Sequence, residues 1–161
     1  MKKTLLYVLL PLFFAPCVTA QLAEGAFDTI SISAENASED EQPGILYFSG
    51  NFLMQSSDWS LASAQATVYG SPNKPDRVYL EGAPARFHVS RFEGEGQGPV
   101  EATASVVEYV RKDDKLMLSG SAVLALGDEV IRSGYIEYDI ANNRYQTGGT
   151  EGVSIKVPPV D

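Results

Sequence analysis

The chain has 161 residues, with 12 Lys+Arg against 21 Asp+Glu, one His, one Cys and a formal net charge of -9. That length suits one domain. The acidic balance leaves no basic footprint for nucleic acid, and one His with one Cys excludes the usual His/Cys zinc sites and any disulfide framework within the chain.

Met1–Ala20 reads as an export signal. Lys2 and Lys3 form a basic start, an apolar run follows from Leu5 to Val18, and Val18-Thr19-Ala20 supplies small residues before Gln21. The run is broken by Pro11 and Pro16 and is shorter than the roughly 20 apolar residues a spanning helix needs. Cleavage before Gln21 leaves a single domain over residues 21–161, with ten Lys+Arg against 21 Asp+Glu and a charge of -11. It also removes Cys17, so folding needs no oxidation.

From Gln21 onward, short apolar-alternating runs replace any long amphipathic helix. Fourteen Gly and nine Pro favour turns over a helical bundle. The pattern predicts strands at Thr29–Ala34, Ile45–Met54, Ser60–Tyr69, Arg77–Glu81, Ala85–Arg91, Val100–Val110, Lys115–Leu126, Glu129–Ile140, Arg144–Thr147 and Gly152–Val157. Turns are marked by Gln42-Pro43-Gly44, Ser71-Pro72-Asn73, Lys112-Asp113-Asp114, Gly127-Asp128 and Asn142-Asn143. Many short strands with close turns make an all-β sandwich, roll or barrel.

The chain also repeats itself. A shift of 70 residues lays Ala34 on Ala104, Leu46 on Leu116, Phe48 on Leu118, Ser49-Gly50-Asn51 on Ser119-Gly120-Ser121, and Ala64 on Gly134. Gly82 meets Gly149 after a gap of three. One strand layout therefore occurs twice, and one copy alone has too little partner surface to bury its apolar face.

Parity gives the inward face. Leu46, Phe48, Gly50, Phe52 and Met54 alternate with Tyr47, Ser49, Asn51 and Leu53. Leu116, Leu118, Gly120, Ala122, Leu124 and Leu126 continue the even set, as do Ala62, Ala64, Ala66 and Val68, and Gly134, Ile136, Tyr138 and Ile140. Side chains alternate faces along a strand, so one face is built for burial. Gly50 and Gly120 mark bulges where another backbone approaches, and a bulge between Ala104 and Tyr109 would shift parity there.

Gly82-Ala83-Pro84-Ala85-Arg86-Phe87, Pro99-Val100-Glu101-Ala102-Thr103-Ala104, Glu108-Tyr109, Leu116-Met117-Leu118-Ser119-Gly120-Ser121-Ala122 and Gly134-Tyr135-Ile136-Glu137-Tyr138-Asp139 follow one another in a fixed order. In that order and spacing they resemble the OstA-like, organic-solvent-tolerance domain family of periplasmic lipopolysaccharide transport. Ser121 departs from it, standing where the family has Asn, whereas Asn51 keeps that residue in the first copy. The resemblance covers about residues 28 to 158. It implies a twisted, V-shaped β-jellyroll of two antiparallel sheets around an apolar interior groove. It also implies head-to-tail assembly through edge strands, and docking to related jellyroll domains of an inner-membrane transporter subunit and an outer-membrane translocon.

A lipopolysaccharide carrier must keep acyl chains out of water. Each exposed methylene costs about 0.8 kcal/mol, so a dozen carbons cost roughly 10 kcal/mol. The expected groove lining is Ile30, Ile32, Leu46, Phe48, Phe52, Met54, Leu80, Phe87, Leu116, Leu118, Leu124 and Ile136. Met54 and the Phe residues suit changing contents. The strands near Ile30–Ala34 and Gly152–Val157 are the expected edges, where strand addition supplies backbone hydrogen bonds. Two alternatives stay open: a membrane-anchored jellyroll subunit of the same pathway, if residues 1–20 are retained, and a structural protein-interaction domain with a filled core.

No catalytic chemistry is expected. The chain lacks G-x-S-x-G, P-loop and H-E-x-x-H motifs. His88 is opposite in parity to Phe87 and faces solvent. Glu39-Asp40-Glu41, Glu93 to Glu95 and Asp113-Asp114 read as solvated loops, and Glu93–Gly98 as a hairpin tip. No cofactor or metal is called for.

Overall fold

A computed structural model describes residues 29–90 and 98–159. The expected signal peptide, Cys17 and most of the Glu93–Gly98 tip lie outside them. The described chain forms β1 (Ser31–Ser33), β2 (Asn36–Glu39), β3 (Ile45–Gln55), β4 (Trp59–Ser71), β5 (Lys74–Val89), β6 (Val100–Val110), β7 (Lys115–Leu126), β8 (Glu129–Asp139) and β9 (Arg144–Lys156), with one short 3-10 turn at Arg111–Asp113. All pair antiparallel in one sheet. From β3 to β9 the spatial order is the sequence order, and β1 and β2 both pair with β3.

Each ladder from β3 to β9 slips register near its middle, at Ser49/Phe52, Ala62/Gln65, Glu81/Ala85, Thr103/Val106, Ser119/Ala122 and Ser133/Tyr135. Extra residues at a bulge bend a strand and sharpen its twist. Six such slips in a row draw one fold line across the sheet and divide it into two leaves. Leaf A holds β1 and the stretches 52–55, 59–62, 85–89, 100–103, 122–126, 129–133 and 153–156. Leaf B holds β2 and the stretches 45–49, 65–71, 74–81, 106–110, 115–119, 135–139 and 144–148. Phe87 of leaf A stacks on Tyr109 of leaf B with centroids 6.5 Å apart, and buried side chains of both leaves form one core. The two expected sheets are thus halves of one, with each long strand running through both.

The 70-residue repeat is present in the backbone itself. Gly50 and Asn51 have φ of 78° and 49°, and Gly120 and Ser121 have 79° and 50°. Ser49↔Gln65 and Phe52↔Ser63 recur as Ser119↔Tyr135 and Ala122↔Ser133. The bond from Gly70 N–H to Gly44 O recurs from Ile140 N–H to Asp114 O, at 2.8 and 2.9 Å. Ser63 and Ser133 are the buried polar residues of the described chain, and each hydroxyl donates to a backbone carbonyl, of Gln65 and Gly148. Glycine is required at the two bulges because a Cβ would strike the Glu35 side chain at Gly50 and Ser105 at Gly120. What approaches there is a side chain, not the expected backbone.

Three sequence expectations change. The expected Arg77–Glu81 and the described start of Ala85–Arg91 belong to one strand, β5, which ends at Val89, and Arg144–Thr147 and most of Gly152–Val157 belong to another, β9, which ends at Lys156. Their Gly and Pro signals mark the fold line rather than chain reversals, and pairing resumes on the same neighbour beyond it. β2 was not anticipated. Finally, the even face does not run through β4: Ala64 is exposed and Ala62 only half-buried, while Leu61 and Ser63 are buried. The slip at Ala62/Gln65 switches the inward set from odd to even. The same switch occurs in β8 (Ile131 to Ile136), and the opposite one, from even to odd, in β5 (Leu80 to Phe87) and β6 (Ala104 to Val107).

Candidate functional site

The interior between the leaves is the largest apolar feature of the fold. Of the expected lining, Phe52, Met54, Leu80, Phe87, Leu116, Leu118, Leu124 and Ile136 are buried core. Ile30, Ile32, Leu46 and Phe48 are partly buried and pack against it. The centre of the interior is therefore closed by side chains. Leu116, Leu118, Leu124 and Ile136 each have no exposed surface.

Open space lies where the free ends of the leaves face one another. A cleft of about 420 Å³ is walled by Ile30, Trp59, Leu61, Phe87 and Val89 of leaf A and by Pro75, Val78, Tyr109 and Ile140 on the leaf B side. Its volume is in the range of small-ligand sites. Asp58, Lys74, Arg111 and Asp114 reach its edges. A second cleft of about 190 Å³ continues the open side towards the C-terminal strands, between Val100 and Leu126 on one leaf and Tyr138 and Tyr145 on the other.

Only Ile30 and Phe87 of the main cleft were among the expected lining. Trp59, Leu61, Val89 and Tyr109 were missed because they are odd-numbered, and the inward parity is odd in those stretches. The signal was present: Trp59-x-Leu61, Phe87-x-Val89 and Val107-x-Tyr109 alternate as cleanly as the even runs.

The cleft lining is mainly apolar, with Asp58, Lys74, Arg111 and Asp114 as its charged members. The Tyr109 hydroxyl donates to Asp114 Oδ1 at 3.3 Å. Burial, reinforced by the Asp114 carboxylate, pushes its pKa up to about 12, so the phenol stays neutral. Arg111 donates from Nε to Pro75 O at 2.9 Å and pairs with Asp76. Charge sits at the rim and apolar surface within, which is the division an amphiphile needs.

The described residues carry no group of His, Cys, Asp and Glu able to hold a metal. His88 is on the outer face of leaf A, its side chain about two-fifths exposed and Nδ1 3.5 Å from Glu101 Oε1. Among the described residues no helix is long and apolar enough to cross a membrane.

Comparison with known proteins adds a family and a fold. Residues 31–144 match the family described as the LptA/(LptD N-terminal domain) LPS transport protein. The lipopolysaccharide export system protein LptA of Escherichia coli strain K12 is 25% identical over 154 residues, covering 94% of this chain and 82% of that protein. LptA of Shigella flexneri matches to the same extent. Among solved structures, the crystal structure of LptH, the LptA-homologous periplasmic component of the lipopolysaccharide transport device of Pseudomonas aeruginosa, superimposes with a TM-score of 0.71. It is 15% identical, covering 82% of this chain and 96% of that one.

Proposed function

Since the chain belongs to the LptA/(LptD N-terminal domain) family of LPS transport proteins, we propose that it carries lipopolysaccharide across the periplasm with the acyl chains between its leaves. It is a non-enzymatic transport protein of the periplasm. The observation that carries the acyl-chain reading is the cleft of about 420 Å³ on the open side of the fold, apolar within and charged only at its edge. Cargo enters between Trp59 and Tyr109, shields its methylenes against Phe87 and Leu61, and leaves its sugars in solvent beyond Lys74 and Arg111. Deeper positions, from Phe52 to Ile136, line the path only as the leaves part.

Export by cleavage before Gln21 frees the domain from the membrane. The bridge then forms by head-to-tail contact, with β9 of one copy beside the β1 and β2 edge of the next. Related jellyroll domains of an inner-membrane subunit and an outer-membrane translocon cap its two ends. Such heterologous contacts extend into open filaments unless their rotation closes.

The test is in-cell photocrosslinking from benzoylphenylalanine at Trp59, Phe87 and Ile30, blotted for lipopolysaccharide, with Lys115 as the outward control. Adducts at the cleft positions and none at Lys115 are expected. No adduct at any cleft position, in a folded and exported protein, overturns the carrier reading. That result favours a filled-core interaction domain, for which the complete burial of Leu116, Leu118, Leu124 and Ile136 is the supporting observation.

A further inference from the structure

The outer face of leaf B, turned away from the interior, carries a slot of about 260 Å³. One register row across it reads Ser38↔Tyr47↔Thr67↔Tyr79, and the next reads Asn36↔Ser49↔Gln65↔Glu81. Tyr47 and Tyr79 stand two strands apart, roughly 10 Å between backbones, with the shorter Thr67 between them. Two aromatic rings therefore wall a floor of Thr67 and Gln65, and Glu81 closes one end. The Tyr47 ring is held from outside the slot, its hydroxyl donating to Asp40 Oδ2 at 2.7 Å, and the Tyr79 hydroxyl lies 3.5 Å from Oε1 of Glu81 at the slot's end.

From this arrangement we infer that the slot takes an arginine side chain from a basic segment of a partner protein. Aromatic faces attract a cation, and a planar guanidinium both stacks on a ring and donates to a carboxylate. Neither Asp40 nor Glu81 has an ion-pair partner among the described residues. The same face already shows this chemistry with the chain's own cation one row away. Arg77 lies 5.1 Å above the Tyr69 ring, and its Nε is 2.6 Å from Glu108 Oε1, a close charge contact whose N–H direction misses hydrogen-bond geometry. In the second repeat the residue equivalent to Thr67 is Glu137, and there Lys115 supplies the cation, 2.6 Å from Glu137 Oε1. In the first repeat the slot itself has the aromatic walls and a carboxylate but no cation, Arg77 being engaged one row away by Tyr69 and Glu108. The net charge of -9 steers basic segments towards the protein at long range. Because the slot and the interior cleft open on opposite faces, partner and cargo bind at the same time.

The test uses the exported protein and three probes: a blocked Arg-Gly-Arg-Gly peptide, the same peptide with citrulline for arginine, and methyl glucoside. Two-dimensional NMR follows the Thr67 amide and the Tyr47 and Tyr79 rings. The arginine peptide is expected to give saturable shifts centred on these three residues, weakened by added salt. Glu81→Gln is expected to weaken binding about threefold to fivefold, the scale of one exposed ion pair. Glu81 is exposed, so the fold does not depend on it. Equal binding of the citrulline peptide, shifts that avoid the slot, or no effect of Glu81→Gln would each overturn the proposal. So would saturation of the slot by methyl glucoside alone, which would make it a sugar site.

Discussion

Ser121 is where a single residue and its conformation disagree. Its φ of 50° matches the 49° of Asn51, its counterpart in the first repeat, but Asn tolerates the left-handed region better than Ser does. Ser121→Asn is expected to raise the free energy of unfolding by about 0.5 kcal/mol, read from the urea midpoint. An unchanged midpoint would mean that the second bulge relieves the strain elsewhere. Tyr109 gives a pH prediction. Its pKa is raised from 10.0 to about 12 by burial and by Asp114. The folded state thus holds the phenolic proton more tightly than the unfolded chain does. The stability this contributes is complete below pH 10 and lost as pH rises towards 12. Tyr79, Tyr135 and Tyr138 are shifted in the same direction, chiefly by burial, and add to the decline. In Tyr109→Phe the fall in urea midpoint between pH 9 and pH 11.5 is expected to be smaller than in the parent; an equal fall would assign the decline to the other tyrosines.

At the scale of elements, the strands differ in what each position contributes. Leu118 lies at the centre of β7 with no exposed surface, whereas Ile155 in β9 is about half exposed. Leu118→Ala is expected to cost about 2–5 kcal/mol, because the surrounding side chains of both leaves cannot fully collapse on the void. Ile155→Ala is expected to stay within about 0.5 kcal/mol in the monomer. Paired chemical denaturation curves decide both, and comparable losses would mean that β9 is covered in solution. Strand existence, type and turns were legible in alternation and in residues such as Gly44 and Asn143. The continuity of β5 and β9 was not, because Gly82-Ala83-Pro84 and Gly148-Gly149 look like turns to any local reading. Whether the chain reverses there depends on the neighbouring strand, which keeps the segment in register beyond the bulge.

For the molecule as a whole, β9 matters most. Val153 and Ile155 of β9 and Val157 just beyond it are 51%, 49% and 64% exposed, an unusual apolar row on a strand that, among the described residues, pairs only with β8. An unpaired edge of this kind invites another chain. Self-association through it should show as concentration-dependent growth in light scattering, and Ile155→Lys should suppress that growth while leaving the folded monomer intact. Growth unaffected by Ile155→Lys would place the contact elsewhere. Pro158 and Pro159 come after the strand and lack the N–H that would extend pairing, so any contact through this edge is expected to stop at β9.

The sequence by itself determined the all-β class, most of the strands, the 70-residue repeat and a family resemblance, since all four rest on local alternation and on ordered short motifs. It also located the two Gly bulges, because Ser49-Gly50-Asn51 and Ser119-Gly120-Ser121 repeat at fixed spacing. Tertiary structure alone decided which positions line the open cleft. Four of the seven strands from β3 to β9 change inward parity at the fold line, so Trp59, Leu61 and Tyr109 face the cleft while Leu116 and Leu118, the more obvious candidates, are sealed in the core. A one-residue slip moves every following side chain to the other face, and the size of each slip is set by the partner strand.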